Sequence, residues 1–252
     1  MPLVDHPAGN YRFLPGIAPY SCGVVSVPGY EIAHVTLQHP VPYRAGFDVI
    51  QRHLHKADRP PAALCAVELR SPRPFTFAGF AEFNAEYAQI LDRWGVFVEG
   101  VNPIARTNVA PVVHPPAEPV LYGFSYARPC AASQPPTFVV AGAGELPEGV
   151  LTHAAIVRVG DISPAGIAAK ARFVMDLMES RLQGLEASWP SVTAIDIYSV
   201  HAIDRVLPEQ ILERVGPAAD HGIRWFYSRP PIEAIEFEMD LRGVVSELRI
   251  VG

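Results

Sequence analysis

The chemistry open to this 252-residue chain is set first by its basic residues. Of 20 basic side chains only Lys56 and Lys170 are lysines, so a Schiff-base mechanism has two candidates. Arginine offers a planar, bidentate fork that keeps its charge in a partly buried cleft and suits a carboxylate. Arg106 begins the apolar stretch 106–113, and Arg224 precedes Trp225-Phe226-Tyr227, where packing on an aromatic ring is the competing reading. Glu236 and Glu238 are two residues apart, so on a strand they share one face, either as proton-transfer groups or as a solvated acidic edge. His53 and His55 lie two apart on an expected helix, face different ways, and are poorly placed to chelate one ion. His39, His114 and His201 fall at expected strand ends, and His221 just before the Arg224 strand. Cys22, Cys65 and Cys130 are far apart, odd in number and without zinc spacing, which argues against a disulfide framework or structural metal. Gly142-Ala143-Gly144 lacks the third glycine and the following helix of a dinucleotide fingerprint.

A net charge of −6 and a pI near 5.8 speak against nucleic acid or an anionic membrane as the main partner. No apolar run approaches a membrane-spanning length, and Met1-Pro2-Leu3-Val4-Asp5-His6 lacks the basic start of a signal peptide; the expectation is a soluble, cytoplasmic protein. Proline, 26 of 252 residues, is roughly twice as frequent as usual and should punctuate turns and strand ends.

The elements that must position these groups follow from periodicity. Residues 21–27 and 31–38 read as strands around Pro28-Gly29. Phe47, Ile50 and Leu54 give a helix over 45–57, and 62–70 is a short buried strand. Phe80, Phe83, Tyr87, Ile90, Leu91 and Trp94 mark one face of a long helix ending near Gly95, and 106–113 returns to strand. The second half repeats the order. Strands are expected over 120–127 and 137–143. A helix capped by Ser163-Pro164 carries Ile167, Val174, Met178 and Leu182, and a strand covers 192–200. A shorter helix over 207–215 and strands over 223–228 and 233–241 close the unit. The reading is an α+β chain duplicated at a period near 120 residues, with domains 1–118 and 119–252. The first half lacks one strand, and the apolar tail 244–251 is the favoured candidate to cross back and supply it.

On these elements the sequence resembles the reactive intermediate deaminase family (Rid, also called YjgF). Asn102-Pro103-Ile104-Ala105-Arg106-Thr107-Asn108-Val109 is similar to the family's Pro-x-Arg-Ser/Thr-x-Val stretch, and Phe83-Asn84-Ala85-Glu86-Tyr87 to its Val-Asn-x-x-Tyr. Gly16-Ile17-Ala18-Pro19-Tyr20 resembles a Gly-Pro-Tyr start, Ala143-Gly144-Glu145-Leu146-Pro147 a Ser-Gly-Gln-Ile-Pro turn, and Ile235-Glu236-Phe237-Glu238 the closing Ile-Glu-Ile-Glu strand. The resemblance implies two tandem Rid-like (chorismate mutase-like) domains, each a mixed sheet with two helices on one face, with active sites between units. Three units close a barrel, which implies a homotrimer of this two-unit chain. It also implies hydrolysis of imines or enamines of small 2-amino or 2-imino carboxylic acids to oxo acid and ammonia, with no metal and no organic cofactor.

Carried over residue by residue, the resemblance makes Arg106 the carboxylate clamp and Glu236 the group that orients the attacking water. Thr107, Asn108, Gly144 and Glu145 would contribute around the bound acid, and Tyr20 and Asn84 would line the pocket. Arg224 is the nearest arginine of the second half, although its spacing to Glu236 is three residues short of the family's. The first half has Thr36-Leu37-Gln38-His39-Pro40 in place of the glycine turn, and Leu121 or Tyr122 in place of the glutamate. One composite site is therefore expected, where Arg106 meets Gly144 and Glu236. Two other readings remain at this stage: a chorismatase-like hydrolase of an enol-ether carboxylate, and a non-catalytic protein that binds small carboxylates.

Overall fold

Alternation and helical spacing resolve into thirteen strands and four α-helices among residues 2–252, which the computed structural model describes. In chain order these are β1 (Val4–His6), β2 (Tyr11–Leu14), β3 (Gly23–Ser26), β4 (Tyr30–Pro42), α1 (Tyr43–Lys56), β5 (Leu64–Arg70), α2 (Phe77–Arg93), β6 (Ala105–Pro111), β7 (Val120–Pro129) and β8 (Phe138–Gly144). There follow α3 (Pro164–Gly184), β9 (Ala194–Tyr198), a π-helical turn Leu207–Leu212 running into α4 (Glu213–Val215), β10 (Arg224–Phe226), β11 (Ser228–Arg229), β12 (Glu238–Gly243) and β13 (Ser246–Ile250). Side-chain caps start the two long helices: Thr76 accepts from the Gly79 amide and Ser163 from the Gly166 amide, so each holds an amide that the first turn leaves free.

The strands form two mixed sheets, one of six strands ordered β11-β6-β5-β7-β4-β13 and one of seven ordered β1-β2-β3-β8-β12-β9-β10. One apolar cluster joins the six-stranded sheet to α1 and α2, through Phe47, Ile50, Val67, Phe83, Tyr87 and Phe124. A second joins the seven-stranded sheet to α3 and the 207–215 segment, through Val140, Val174, Met178, Ile197, Ile211 and Met239. A third, including Phe13, Val24, Cys65, Ala105 and Ala141, lies where the sheets face each other. The layers therefore run helix, sheet, sheet, helix.

Both chain ends cross over. The strand expected over 21–27 belongs with the second half: β3 pairs antiparallel with β8. The tail crosses the other way, and β13 pairs in parallel with β4 from Ser246↔Ala33 to Ile250↔Leu37. Strand β7 pairs with both β4 and β5, so a division at 118/119 does not follow sheet membership. Local periodicity marks these segments as strands, but only the free sheet edges decide which sheet each one completes. Strands β4-β7-β5-β6 and β8-β12-β9-β10 have the same order and the same strand senses, while the added edge strands differ: β13 is parallel to β4 and β3 antiparallel to β8.

The tail also closes a buried charge network between the sheets. Arg242 Nη1 lies 3.0 Å from Asp196, and its Nε donates to Glu247 of β13 at 2.8 Å. Asp240 accepts from Tyr198 at 2.8 Å. Deleting residues 246–252 bares the β4 edge and leaves Arg242 Nε without its partner. The expected cost is about 2–3 kcal/mol, given the worth of hydrogen bonds to charged groups, and a denaturant titration with an unchanged midpoint would contradict it.

Candidate active site

Four side chains on one face of α2, Phe80, Phe83, Asn84 and Tyr87, follow the i, i+3, i+4, i+7 spacing that a helix stacks on one side. They meet Arg106 on β6. The Arg106 guanidinium is buried at 3% exposure and donates from Nη2 to Asn84 Oδ1 at 2.7 Å. Its carbon lies 4.6 Å from the ring centre of Tyr20, 4.8 Å from Tyr87, 5.5 Å from Phe80 and 5.8 Å from Phe83. Nη1 has no hydrogen-bond partner among the described residues. A desolvated cation held by aromatic faces and one neutral amide lacks the anion that would offset its burial. Asn108, two residues on and therefore on the same face of β6, accepts from Ser71 at 2.9 Å and leaves its Nδ2 donor unpartnered. Both residues line one cleft, each with a donor left unmatched, a combination that can receive a carboxylate.

The opposite wall comes from the other sheet. Glu238, the first residue of β12, is buried at 3% exposure and lines the same cleft. Burial pushes its carboxyl well above the usual range; the negative charges of Asp240 and Glu145 add to this, and Arg181 and Arg106 oppose it. The carboxyl therefore keeps its proton to higher pH than an exposed glutamate. Gly142 makes room for it, since a Cβ there would fall on Glu238 Oε1 and lie 3.2 Å from Thr107 Oγ1. Arg181 reaches in from α3, donating from Nε to Glu148 at 2.7 Å and from Nη1 to the Ala141 carbonyl at 2.8 Å. The cavity lined by Arg106, Asn108, Glu238 and Arg181 has a volume of about 70 Å³.

Of the residues singled out in the sequence, Tyr20, Arg106, Asn108 and Gly144 line this cleft, and Asn84 stands behind Arg106. Thr107 points to the other face of β6, into the layer between the sheets, beside Gly142. Glu236 is outside. The chain does not run as a strand from 233: Ala234 takes φ +69°, and both oxygens of Glu145 accept the amides of Glu236 and Phe237, at 2.7 and 3.0 Å. The strand begins only at Glu238, and the Glu236 carboxylate goes to His201 at 2.7 Å and Arg229 at 3.4 Å. Glu145 itself is a buried latch, paired with Lys170 at 3.0 Å, and not a lining residue. Arg224 makes a two-pronged pair with Asp196, at 2.6 and 2.8 Å, on the edge strand β10, remote from the cleft. Cys22 donates to Glu148 and its thiol is pushed up by burial, which leaves it a poor nucleophile.

Glu238 and Arg181 had readable signals. Arg181 falls three residues after Met178 and seven after Val174, on the apolar stripe of α3, where an exposed arginine would not be placed. In Glu238-Met239-Asp240-Leu241-Arg242 the charged residues alternate with apolar ones, and both faces are buried.

A family model described as 2-aminomuconate deaminase CnbZ matches residues 3–248 of the chain. The 2-amino-5-chloromuconate deaminase of Comamonas testosteroni is 39% identical over 241 residues, covering 95% of this chain and 95% of that protein. Among solved structures, a chorismatase crystal structure has a TM-score of 0.52 at 12% identity, covering 93% of this chain and 77% of that chain, a likeness of fold alone.

Proposed function

The chain belongs to the CnbZ family of 2-aminomuconate deaminases, and from that premise we propose that it hydrolyses the imine form of an unsaturated 2-amino dicarboxylic acid to the 2-oxo acid and ammonia. The observation that carries the reading is the presence, in one cleft, of a buried Arg106 with an unpartnered nitrogen and of Glu238, whose carboxyl burial pushes well above the usual range. Arg106 Nη1 and Asn108 Nδ2 take the carboxylate next to the C–N bond. Glu238 gives its proton to the imine nitrogen, which makes the carbon electrophilic, and as a carboxylate accepts a proton from the water that adds there. Glu238 then protonates the carbinolamine nitrogen, ammonia leaves as the carbonyl forms, and the hydroxyl proton returns to Glu238, so the acid is regenerated and water supplies the carbonyl oxygen and two hydrogens of the ammonia. Tyr20 and Phe80 offer flat walls to a conjugated chain.

Arg181 would take the far carboxylate, since no hydrogen bond of the described residues uses its Nη2. The equivalent element order of the two sheets supports reading the chain as a duplicated unit resembling the Rid fold, with its composite site complete inside one chain. Incubation of the purified chain with 2-aminomuconate should release one ammonia per oxo acid formed. Arg181→Met should raise KM for the dicarboxylate about tenfold, the worth of one weakened charged hydrogen bond, with kcat little changed. Failure to release ammonia from any unsaturated 2-amino acid would refute the reading.

A further inference from the structure

A second cleft also lies where the two sheets meet. The first cleft uses β6 of one sheet against β8 and β12 of the other; the second uses the β10–β11 segment against the ends of β4 and β7. Tyr122, near the start of β7, lines it together with Pro40 of β4 and Phe226 of β10. The cleft has a volume of about 570 Å³.

Its cation is Arg70, the last residue of β5. The side chain is buried at 5% exposure, with its guanidinium carbon 4.0 Å from the ring centre of Tyr122, 5.5 Å from Tyr198 and 5.6 Å from Phe226. Nη1 donates to the Leu69 carbonyl at 2.9 Å, while Nη2 has no hydrogen-bond partner among the described residues; the nearest carboxylate oxygen, of Glu68, is 3.5 Å away. Arg70 thus shares with Arg106 an aromatic cage and one nitrogen without a hydrogen bond, but unlike Arg106 it has a carboxylate, Glu68, within ion-pair distance. No aspartate or glutamate among the described residues lines this cleft, and its other ionisable wall residues are His114, Tyr122 and Tyr227. Cation, aromatic faces and the absence of lining acids favour a flat anion.

We propose that the Arg70 cleft is a second binding site, for a planar unsaturated carboxylate, which it holds without turnover because no aspartate or glutamate among the described residues lines it to donate a proton. The inference does not depend on the chemistry assigned to Arg106. Isothermal titration of the full chain with sorbate, a planar diene monocarboxylate, tests it. Sorbate should bind Arg106→Met, in which the first cleft is disabled, at one molecule per chain. In that background Arg70→Met should weaken binding at least tenfold. Val113→Trp, a plug at a 64% exposed lining position, should do the same without touching the buried guanidinium, and in the otherwise wild-type chain it should leave turnover intact. If Arg106→Met or Arg70→Met fails to fold, wild type against Val113→Trp gives the answer: the plug should remove one sorbate site. Equal sorbate binding with and without the plug overturns the proposal. So does a plug that changes the oligomeric state while no sorbate binds, which would make the cleft a subunit contact.

Discussion

Arg106→Ala should lower kcat/KM by about 10²–10³-fold, mostly through KM. Among the described residues the guanidinium is the one cation lining the cleft with an unmatched donor and no carboxylate partner, and in the proposed reaction the substrate supplies the missing charge. Losing the charge-assisted Nη1 contact, and with it the positive charge that holds the carboxylate beside Asn108, together about 3–4 kcal/mol, corresponds to that range. Arg106→Lys should recover little of it. An ammonium is a point charge on a flexible stem; it cannot hold Asn84 with one nitrogen and present another to a carboxylate in the same plane. Lysine restoring the rate would show that charge alone matters and that the fork geometry does not.

Glu238→Gln should act on the other kinetic constant, lowering kcat by about 10²–10⁴-fold, the usual contribution of a positioned acid–base group, with KM changed far less. The pH behaviour carries a second signature. The carboxyl's pKa in the fold lies well above its ordinary value. Between the two values the folded chain binds a proton that the unfolded chain does not. This residue's contribution to stability is therefore present at low pH and is lost as pH rises through the folded value. Glutamine cannot ionise, so Glu238→Gln should lose that part of the pH dependence and melt no lower than wild type at neutral pH. In the wild type, the rate should fall on the alkaline side as Glu238 gives up its proton. A glutamine variant with unchanged kcat would remove Glu238 from the chemistry.

Much of this architecture is legible from short-range pattern. The stripe Phe80, Phe83, Tyr87 places α2, and the same face brings Asn84 to Arg106. The Ser163 cap places the start of α3. Partner choice is not local: nothing in Gly23–Ser26 or Ser246–Ile250 says which sheet edge is free, so the exchange of β3 and β13 between halves emerges only when both sheets are assembled. The shift from Glu236 to Glu238 has a similar cause. Alternation treats both as one face of a strand, but the positive φ of Ala234 and the Glu145 latch on the next amides turn Glu236 out toward His201. A left-handed alanine has no mark in the sequence. Arg224 goes astray for a register reason: it pairs with Asp196 across β9 and β10, and its charge is taken up there.

The central claim is that Arg106, from the six-stranded sheet, and Glu238, from the seven-stranded sheet, work on one bound molecule. The most direct measurement is a double-mutant cycle in kcat/KM for ammonia release from 2-aminomuconate, using Arg106→Ala, Glu238→Gln and the pair. Groups that act as a unit are far from additive, so the double variant should be only slightly worse than the poorer single variant. Losses that multiply, as for two residues with separate tasks, would contradict a shared site.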